Sequence, residues 1–430
     1  MLTAADNELV CRVGPGTPMG ELMRRYWLPG MLSSELPAPD CPPVRVMLLG
    51  EPLIAFRDSG GRVGMIQNYC PHRGASLFYG RNEEGGLRCI YHGWKFDVTG
   101  ACLEMFNEPD ESNFAAKVKA IAYPCVERNG AIWTYLGPEE VTPPLPDIEA
   151  NMADGYHTLA MEHDHNWLQV LEGTIDTIHA GILHSGATRW EDTPEGSLQR
   201  AYLQHRQAKF SVVDIDGGVT YGAHRPAGPG QEYWRLATFM FPIYGMSPTG
   251  GSFQKGVPTS LTAAVPMDDD HTLYVHFIAK SALEKYDTYP NTTDWFGRFN
   301  CPADTSNDYL LDRELQRRSP LNSGGPNFSG IPGGRHQDRA ITSSMGRIYD
   351  RTHEHLGQTD GGIIRTRKRL LDAAKALAEK GIEPPGVRNP EYYRVRTGEL
   401  LLPEGADWVE ETKELRKAQL AGPPMITARR

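Results

Sequence analysis

Two short clusters in the first quarter of the chain carry side chains that could hold a metal. They are Cys70-Pro-His72 and Cys89-Ile-Tyr-His92, separated by 16 residues in the pattern C-x-H-x16-C-x2-H. One interpretation is a structural zinc site, since zinc takes two thiolates and two imidazoles, although such sites usually pair Cys with Cys and His with His. Here each cluster supplies one of each, which favours a [2Fe-2S] cluster with two thiolates on one iron and two imidazoles on the other.

A second group combines a carboxylate with two imidazoles. Asp176, His179 and His184 form the pattern D-x2-H-x4-H. On a continuous helix, positions 176 and 179 share a face, whereas 179 and 184 diverge unless Gly181 lets the turn open. A single histidine in such a segment is more often a core residue. Two histidines with an aspartate, downstream of the first clusters, indicate a second metal site.

The elements that must position these groups fall into two regions, divided at the proline-rich segment 137–147, which the prolines hold extended. Upstream, short alternating runs bounded by turn residues predict a small antiparallel β-domain. These predicted strands are residues 44–49, 52–57, 63–68 and 131–136. Residues 19–26 have helical spacing and predict an N-terminal arm.

Downstream of the boundary the pattern mixes helices and strands. Residues 167–184 have helical spacing interrupted by Gly173 and Gly181, which predicts one helix or two half-helices. Successive hairpin patterns predict an antiparallel sheet. Its predicted strands are residues 210–215, 219–222, 233–241, 261–265 and 272–278. A long amphipathic helix is predicted at 363–378, and a helix against a sheet makes an α+β domain.

Composition excludes several classes of protein. The 430 residues are 40% apolar and 23% charged, enough for two or three domains with a sizeable core. A net charge of -10 argues against a nucleic-acid partner. The N-terminus has no signal-like pattern and no apolar run approaches the roughly 18 residues that cross a bilayer, so we expect a cytoplasmic protein without a membrane partner. Seven cysteines, an odd number, favour reduced thiols over a disulfide framework.

The residues around both groups resemble the Rieske non-haem iron oxygenases that hydroxylate aromatic rings. CPHRGASL and CIYHGWKFD resemble their cluster-binding loops, and NWLQVLEGTIDTIHAGILH resembles the signature of their catalytic domain. The resemblance implies an α+β protein with a small antiparallel β Rieske domain and a helix-grip catalytic domain, in which helices cover an antiparallel sheet. The implied divisions are residues 1–25 as an arm on the catalytic domain, 26–140 as the Rieske domain and 141–430 as the catalytic domain.

The same resemblance implies the roles of the singled-out residues. It makes Cys70, His72, Cys89 and His92 the ligands of a Rieske [2Fe-2S] cluster. It makes His179 and His184 ligands of a mononuclear Fe(II), and Asp176 the carboxylate that joins the two metal centres of neighbouring subunits.

A third iron ligand is still needed, because two imidazoles and one carboxylate on one face of the iron leave the opposite positions open for O2. We expect it to be Asp360, which stands at the loop before the long C-terminal helix, where the family places its carboxylate. The rival candidates are Asp338, Asp350 and Glu354.

The segment 337–357 and the length of the catalytic region resemble the phthalate dioxygenase branch, near chlorobenzoate dioxygenases and aryl O-demethylases. The implied function is a terminal oxygenase component in aromatic hydrocarbon catabolism. It would use O2 and NADH-derived electrons to dihydroxylate an aromatic carboxylate, of phthalate, benzoate or chlorobenzoate type, to a cis-dihydrodiol. The implied partners are a separate flavin and iron-sulfur reductase and further copies of this chain, as a trimer or paired trimers.

A carboxylate on the substrate ring would need a cation in an otherwise apolar pocket. The candidates after the histidine motif are Arg206, Lys209, Arg225, Arg235 and Lys255. We expect Arg206, since phthalate-type relatives place a carboxylate-binding arginine roughly this far beyond the iron histidines.

Three other functions compete with this interpretation. An aryl O-demethylase or a monooxygenase of the same family would carry the same motifs. A Rieske electron-transfer protein would leave the second group unexplained, and a zinc-stabilised binding protein would be colourless.

Overall fold

The structure is a computed structural model that describes residues 1–186, 190–248, 253, 259–280, 294–321 and 327–419. The predicted cation Lys255 lies outside these residues.

The first third of the chain forms three small antiparallel sheets. The first has the order β1 (Trp27–Leu32), β11 (Ala131–Tyr135) and β10 (Cys125–Arg128). The second has the order β2 (Val44–Leu48), β3 (Glu51–Arg57), β4 (Val63–Gln67) and β9 (Ala122–Tyr123). The third has the order β5 (Arg81–Glu83), β6 (Gly86–Arg88), β7 (Lys95–Phe96) and β8 (Cys102–Glu104).

An eight-stranded antiparallel sheet dominates the rest of the described chain. Its order is β12 (Tyr156–His163), β18 (Thr272–Ala279), β17 (Leu261–Pro266), β16 (Tyr244–Met246), β15 (Gln231–Met240), β14 (Gly218–Pro226) and β13 (Lys209–Ile215). A further strand, β19 (Glu399–Pro403), pairs with β15.

Nine α-helices occur in the described residues. They are α1 (Ala4–Cys11), α2 (Pro18–Met23), α3 (Glu149–Met152), α4 (Trp167–Ile175), α5 (Leu198–Gln204), α6 (Arg313–Arg317), α7 (Gly334–Ser344), α8 (Gly361–Lys380) and α9 (Trp408–Glu411). Within the described ranges, none of them combines the length and the apolar character needed to cross a membrane.

The N-terminal helices lie against the C-terminal half of the chain. Both α1 and α2 pack on α8. The hydroxyl of Tyr26, just after α2, donates to the Pro385 carbonyl at 2.7 Å, and the Asn7 amide donates to the Tyr349 carbonyl at 3.2 Å. The arm is thus anchored at two separated points.

Helix α4 lies across one face of the large sheet, over β16 and β17. Gly245 makes this close approach possible, because a Cβ at that position would lie 2.6 Å from Cγ2 of Thr174 on α4. Further along the chain, α8 packs on β13 and β14, so helices cover the sheet as the α+β prediction requires. The predicted fold class is confirmed.

The predicted strands are all present, with ends that shift by a few residues. The main difference concerns residues 167–184, where α4 ends at Ile175 and a short 3-10 turn follows at His179–Gly181. The cause is Asp176, whose side chain accepts a hydrogen bond from the Ile178 N–H at 2.7 Å. A side chain that binds its own backbone in this way competes with the helix.

Candidate metal centres

The two cysteine-histidine clusters lie in loops with the same backbone hydrogen bonds. In each loop the cysteine N–H donates to the carbonyl five residues on, and its carbonyl accepts from the glycine N–H four residues on. The pairs are Cys70–Ala75 (2.8 Å), Gly74–Cys70 (2.9 Å), Cys89–Trp94 (2.8 Å) and Gly93–Cys89 (2.9 Å). Gly74 and Gly93 have φ of 75° and 77°, a left-handed conformation that favours glycine. The sequence therefore encodes two matched loops.

The four side chains of these loops meet in one place. Cys70 and Cys89 are buried, and their thiols contact each other, which lowers the pKa of Cys89 to about 6. The rings of His72 and His92 lie 4.4 Å apart. Two thiols side by side and two imidazoles side by side are the donor set of a Rieske cluster.

A test of fit comes from His92. Its Nδ1 is buried and has no hydrogen-bond partner among the described residues, which is expected of a nitrogen that binds a metal. The residues of the two loops therefore fit a [2Fe-2S] cluster.

Large apolar side chains are exposed around this centre. Ile90, Tyr91 and Phe106 expose 63%, 56% and 71% of their surface, and Tyr69, next to Cys70, is also exposed. Such a concentration of exposed apolar groups is typical of an interaction surface.

The second centre brings together His179, His184 and Asp338. Nε2 of His184 lies 3.0 Å from Oδ1 of Asp338, and Nε2 of His179 lies 3.4 Å from the same oxygen. Ligand atoms of all three residues lie within 4.8 Å of one another. Two imidazoles and one carboxylate with this spacing can hold a non-haem iron and leave positions open.

Asp360, which we expected as the third ligand, does not join this group. Its carboxylate accepts a hydrogen bond from the Gly357 N–H at 2.6 Å and so closes the turn that starts α8. Of the rivals, Asp350 accepts from the Thr352 backbone N–H, and Glu354 pairs with Arg367. The structure corrects the expectation: the carboxylate beside the histidines is Asp338, on α7 rather than before α8.

Gln169 explains why α7 lies here. Its amide donates to the carbonyls of Thr342 and Gly346, each at 2.9 Å, and its carbonyl accepts from the Tyr349 N–H at 2.9 Å. These three bonds tie α4 to the C-terminal end of α7. Asp338 is thereby placed against the histidines that follow α4.

Glu172 fixes the other side of α4. Its carboxylate pairs with Arg351 at 3.0 Å and with Arg367 at 2.5 Å, and Arg367 also pairs with Glu354 at 2.5 Å. The arginines are almost fully buried. This ion network anchors α4 to α8 and to the segment before it.

The two histidines are oriented from their far sides. Nδ1 of His184 lies 2.6 Å from Oε1 of Gln337, and Nδ1 of His179 lies 3.5 Å from Oδ2 of Asp176. Both rings therefore turn Nε2 towards Asp338. Partners that fix the ring and its tautomer in this way are typical of metal-binding histidines.

The charges at this centre reinforce one another. Burial opposes the charged form of His179, but Asp176 and Asp338 outweigh it and raise the pKa of His179 to about 9. Burial likewise opposes ionisation of Asp338, and the two histidines outweigh it and lower the pKa of Asp338 to about 2. The site therefore stabilises Asp338 as a carboxylate and His179 as a cation.

A cavity of about 320 Å³ opens beside the second centre. The residues of the sheet that line the cavity lie on one face of the sheet. The strand register shows this, because directly paired residues, and every second residue along a strand, point to the same face. His276, Thr262 and Gly245 form one paired row across β18, β17 and β16. The cavity thus lies between this face of the sheet and α4.

Among the predicted cations that the structure describes, Arg235 is the one that lines this cavity. Its guanidinium binds Glu399 and the Pro248 carbonyl, both at 3.2 Å, and its Nε is buried with no hydrogen-bond partner in the described chain.

The other candidates within the described part of the chain, Arg206, Arg225 and Lys209, lie elsewhere. Arg206, which we expected, donates to the Gly181 carbonyl behind the histidine turn. Arg225 is buried over the ring of Tyr202 at 4.8 Å, and Lys209 is exposed. Their distribution favours Arg235 over Arg206 as the cation that faces the cavity.

Comparisons with known proteins agree with this architecture. Residues 26–120 match the Rieske [2Fe-2S] domain, and residues 134–422 match the family described as LigXa C-terminal domain like. The chain is 41% identical to the 3-chlorobenzoate-3,4-dioxygenase oxygenase subunit of Comamonas testosteroni, covering 95% of this chain and 97% of the relative. It is 37% identical to the phthalate 4,5-dioxygenase oxygenase subunit of Pseudomonas putida, covering 88% and 87%.

A solved structure shares the fold. Dicamba monooxygenase bound to dicamba superposes with a TM-score of 0.56 at 19% identity, over 83% of this chain and 99% of that one. The cofactors of the present chain follow from the family and from the donor groups described above. They are a Rieske [2Fe-2S] cluster and a mononuclear iron. The chain belongs to the Rieske non-haem iron oxygenases, in the branch that contains the chlorobenzoate and phthalate dioxygenase oxygenase subunits.

Proposed function

We propose that this chain is the terminal oxygenase component that uses O2 and NADH-derived electrons to dihydroxylate an aromatic carboxylate to a cis-dihydrodiol. One observation carries the choice of substrate: Arg235, whose side chain is largely but not fully buried, lines the same cavity as His179, His184 and Asp338. The two relatives that are 41% and 37% identical are named for chlorobenzoate and phthalate, which supports the same class.

The proposed ligand sets follow the two centres. Cys70, His72, Cys89 and His92 would hold the Rieske cluster, and His179, His184 and Asp338 would hold the iron. When bound, these groups supply single electrons and the activation of O2.

The protein's own contribution at the iron site is to fix its ligands. Gln337 and Asp176 occupy the Nδ1 sides of His184 and His179, which reserves Nε2 for the metal. Asp338 stays ionised because its pKa is held low. The three side chains are thus already placed to bind the metal. Of the two ligands whose pKa is shifted, only His179 would have to lose a proton first.

We assign the anion-binding role to Arg235. A substrate carboxylate that enters the cavity would pair with the guanidinium charge of Arg235, which lines it. A hydrogen bond between charged groups in a buried site is worth roughly 1.5–3 kcal/mol. This contact would hold the ring against the face of the sheet, beside the two histidines.

We assign Asp176 the role of joining two subunits. It already lies beside His179 of its own chain, and its side chain remains 31% exposed. The exposed apolar side chains around His92 supply a surface for contact with a second copy. Rieske oxygenase subunits form oligomers and work with separate reductases, so we propose a trimer or paired trimers in which Asp176 contacts His92 of the next subunit.

The test is turnover of benzoate, 3-chlorobenzoate, phthalate and 3-methoxybenzoate with a compatible reductase, with identification of the products. We expect a dihydrodiol from at least one benzoate, with matching O2 uptake. Formaldehyde from 3-methoxybenzoate alone would make the protein an O-demethylase instead.

Two variants test the anion site in the same assay. Arg235→Gln should weaken benzoate binding by roughly 10- to 100-fold, from the energy of a charged hydrogen bond. Arg206→Gln is the matched control, and we expect a much smaller change in it. The opposite ranking would return the role to Arg206.

A further inference from the structure

The amide that faces the ring of His184 is itself held in one orientation by groups behind it. Gln337 is 6% exposed, and its Oε1 lies 2.6 Å from Nδ1 of His184. Its Nε2 donates to the Ile331 carbonyl at 2.8 Å and to Oδ1 of Asn327 at 3.3 Å. Because both of these oxygens accept hydrogen bonds, the NH2 end of the amide faces them and its carbonyl oxygen faces the imidazole.

The orientation of Asn327 is set in turn by the backbone. Its Oδ1 accepts hydrogen bonds from the N–H groups of Ser329 and Gly330, each at 3.1 Å. Its Nδ2 donates to the Ile331 carbonyl at 2.6 Å. A backbone N–H only donates and a backbone carbonyl only accepts, so the two ends of this amide cannot be exchanged. An asparagine that binds the backbone two residues further on is typical of a turn.

The segment around Asn327 also holds the main chain that follows His184. The Phe328 N–H donates to the Ser185 carbonyl at 3.0 Å, and Asn327 pairs with Gly186 in an antiparallel bridge. The histidine is therefore held from two sides, through the main chain after it and through the amide at its ring.

We infer that Asn327 is a positioning residue of the iron site, which fixes the tautomer of His184 through Gln337. With the glutamine oxygen 2.6 Å away, Nδ1 carries the ring proton, because two lone pairs at that distance repel each other. Nε2 then keeps the lone pair that a metal needs and points it towards Asp338. The inference rests on the proposed function, because it takes His184 as an iron ligand.

The contrast with His179 shows what Asn327 contributes. Nδ1 of His179 faces the carboxylate of Asp176 at 3.5 Å, and an ionised carboxylate only accepts, so it selects this tautomer without help. An amide offers an acceptor or a donor, depending on which way it is turned. A reversed Gln337 would put its NH2 against the ring and move the proton of His184 to Nε2, which removes the ligand atom. The hydrogen bonds at Asn327 exclude this orientation.

The experiment is a double-variant cycle that measures the Fe(II) affinity of the metal-depleted mononuclear site. In Asn327→Ser the shorter side chain still accepts from the Ser329 N–H but no longer reaches Gln337. Gln337→Met removes the amide at similar size. We expect each single variant to weaken Fe(II) binding by roughly 10-fold or more, as is typical of groups that orient metal ligands. The double variant should bind Fe(II) no more weakly than Gln337→Met alone, because Asn327 acts through Gln337.

A spectroscopic readout separates a changed ligand from a loosened domain. With the Rieske cluster oxidised and therefore EPR-silent, nitric oxide bound at the Fe(II) gives an EPR spectrum that depends on the ligands of that iron. We expect Asn327→Ser and Gln337→Met to show the same altered spectrum. A domain that is loosened with its ligands in place would keep the spectrum of the unmodified protein.

Asn307→Ser is the matched control. Asn307 also bridges backbone groups of its own loop, since its Oδ1 accepts from the Asp304 N–H at 3.0 Å and its Nδ2 donates to the Pro302 carbonyl at 2.6 Å. Within the described part of the chain, these bonds do not lead to Gln337 or to either iron histidine. This variant should keep both the Fe(II) affinity and the EPR spectrum, even if its melting temperature falls.

The outcomes separate this inference from the proposed function. Unchanged Fe(II) affinity in Asn327→Ser, or a loss in the double variant equal to the product of the two single losses, would overturn the role of Asn327 and leave the ligand set intact. Asn327→Ala is measured beside Asn327→Ser with the same expected results, so the test does not depend on one variant folding. Full Fe(II) affinity in His184→Ala would overturn the ligand set itself, and the inference with it.

Discussion

Replacement of Gln169 by methionine should loosen α7 from α4 and so weaken the iron site from a distance. Gln169 is 1% exposed and makes three hydrogen bonds to backbone groups of Thr342, Gly346 and Tyr349. At about 1 kcal/mol each, their loss destabilises the catalytic domain by roughly 3 kcal/mol. For a domain of this size, that lowers the thermal midpoint by roughly 6 to 12 °C.

The same change should reach the metal, because Asp338 is carried on α7. Positioning groups of this kind typically change metal affinity by about 10- to 100-fold. The assay is a titration of the metal-depleted catalytic site with Fe(II), beside calorimetric melting and the Rieske absorption spectrum. The spectrum should be unchanged, since Gln169 does not contact the cluster loops.

Gln358→Met is the matched control, because Gln358 is exposed in the turn before α8. It should change neither the melting midpoint nor the Fe(II) affinity. If Gln169→Met behaves like this control in both assays, the account of how α7 is positioned is wrong.

Three further predictions concern the cluster, the subunit contact and the cavity wall. Cys70→Ala should abolish the Rieske absorption while Fe(II) still binds at the second centre, as measured by metal analysis after reconstitution. Asp176→Asn should slow single-turnover oxidation of the pre-reduced cluster by more than the roughly 10- to 100-fold typical of such positioning groups, with both metal centres still occupied. An unchanged rate would show that Asp176 does not join the two centres. Burial lowers the pKa of His276 to about 3, below its ordinary 6.5, so the unfolded chain takes up the proton first as the pH falls. The stability that the neutral His276 contributes is therefore fully present above pH 6.5 and is reduced by about 2 kcal/mol at pH 5. In His276→Gln, the free energy of unfolding measured with denaturant should fall less steeply between pH 7 and pH 5 than in the unmodified protein.

The cluster loops could be predicted from the sequence because their information is local. Within each loop, the cysteine, the histidine and the glycine lie within five residues of one another. The backbone hydrogen bonds that close each loop span no more than five residues. The strands were predictable for the same reason, since a period of two residues and the turn residues between runs are properties of short segments.

The end of α4 carried a local signal that periodicity alone did not reveal. Apolar spacing continues to Leu183, yet the helix stops at Ile175, where Asp176 binds the backbone of Ile178. An aspartate close to glycines is a recognised competitor of helix. Weighing it would have predicted a turn rather than a second half-helix.

The third carboxylate and the cavity cation depend on contacts that are distant in the chain. Asp338 reaches His179 because Gln169 binds residues 173 to 180 positions further on. Proximity to the long helix favoured Asp360 in the sequence, although the carboxylate before that helix only closes a turn. In the same way, Arg235 faces the cavity through the pairing of β15 within the sheet, which no local pattern of charges reveals.

The most direct test of the account is the iron content of Asp338→Ala beside Asp360→Ala. The account predicts that Asp338→Ala keeps the two irons and the spectrum of its Rieske cluster, loses the mononuclear iron and forms no product from benzoates. Asp360→Ala should keep the mononuclear iron and most of its activity. Loss of that iron in Asp360→Ala, with full occupancy in Asp338→Ala, would contradict the proposed metal centre.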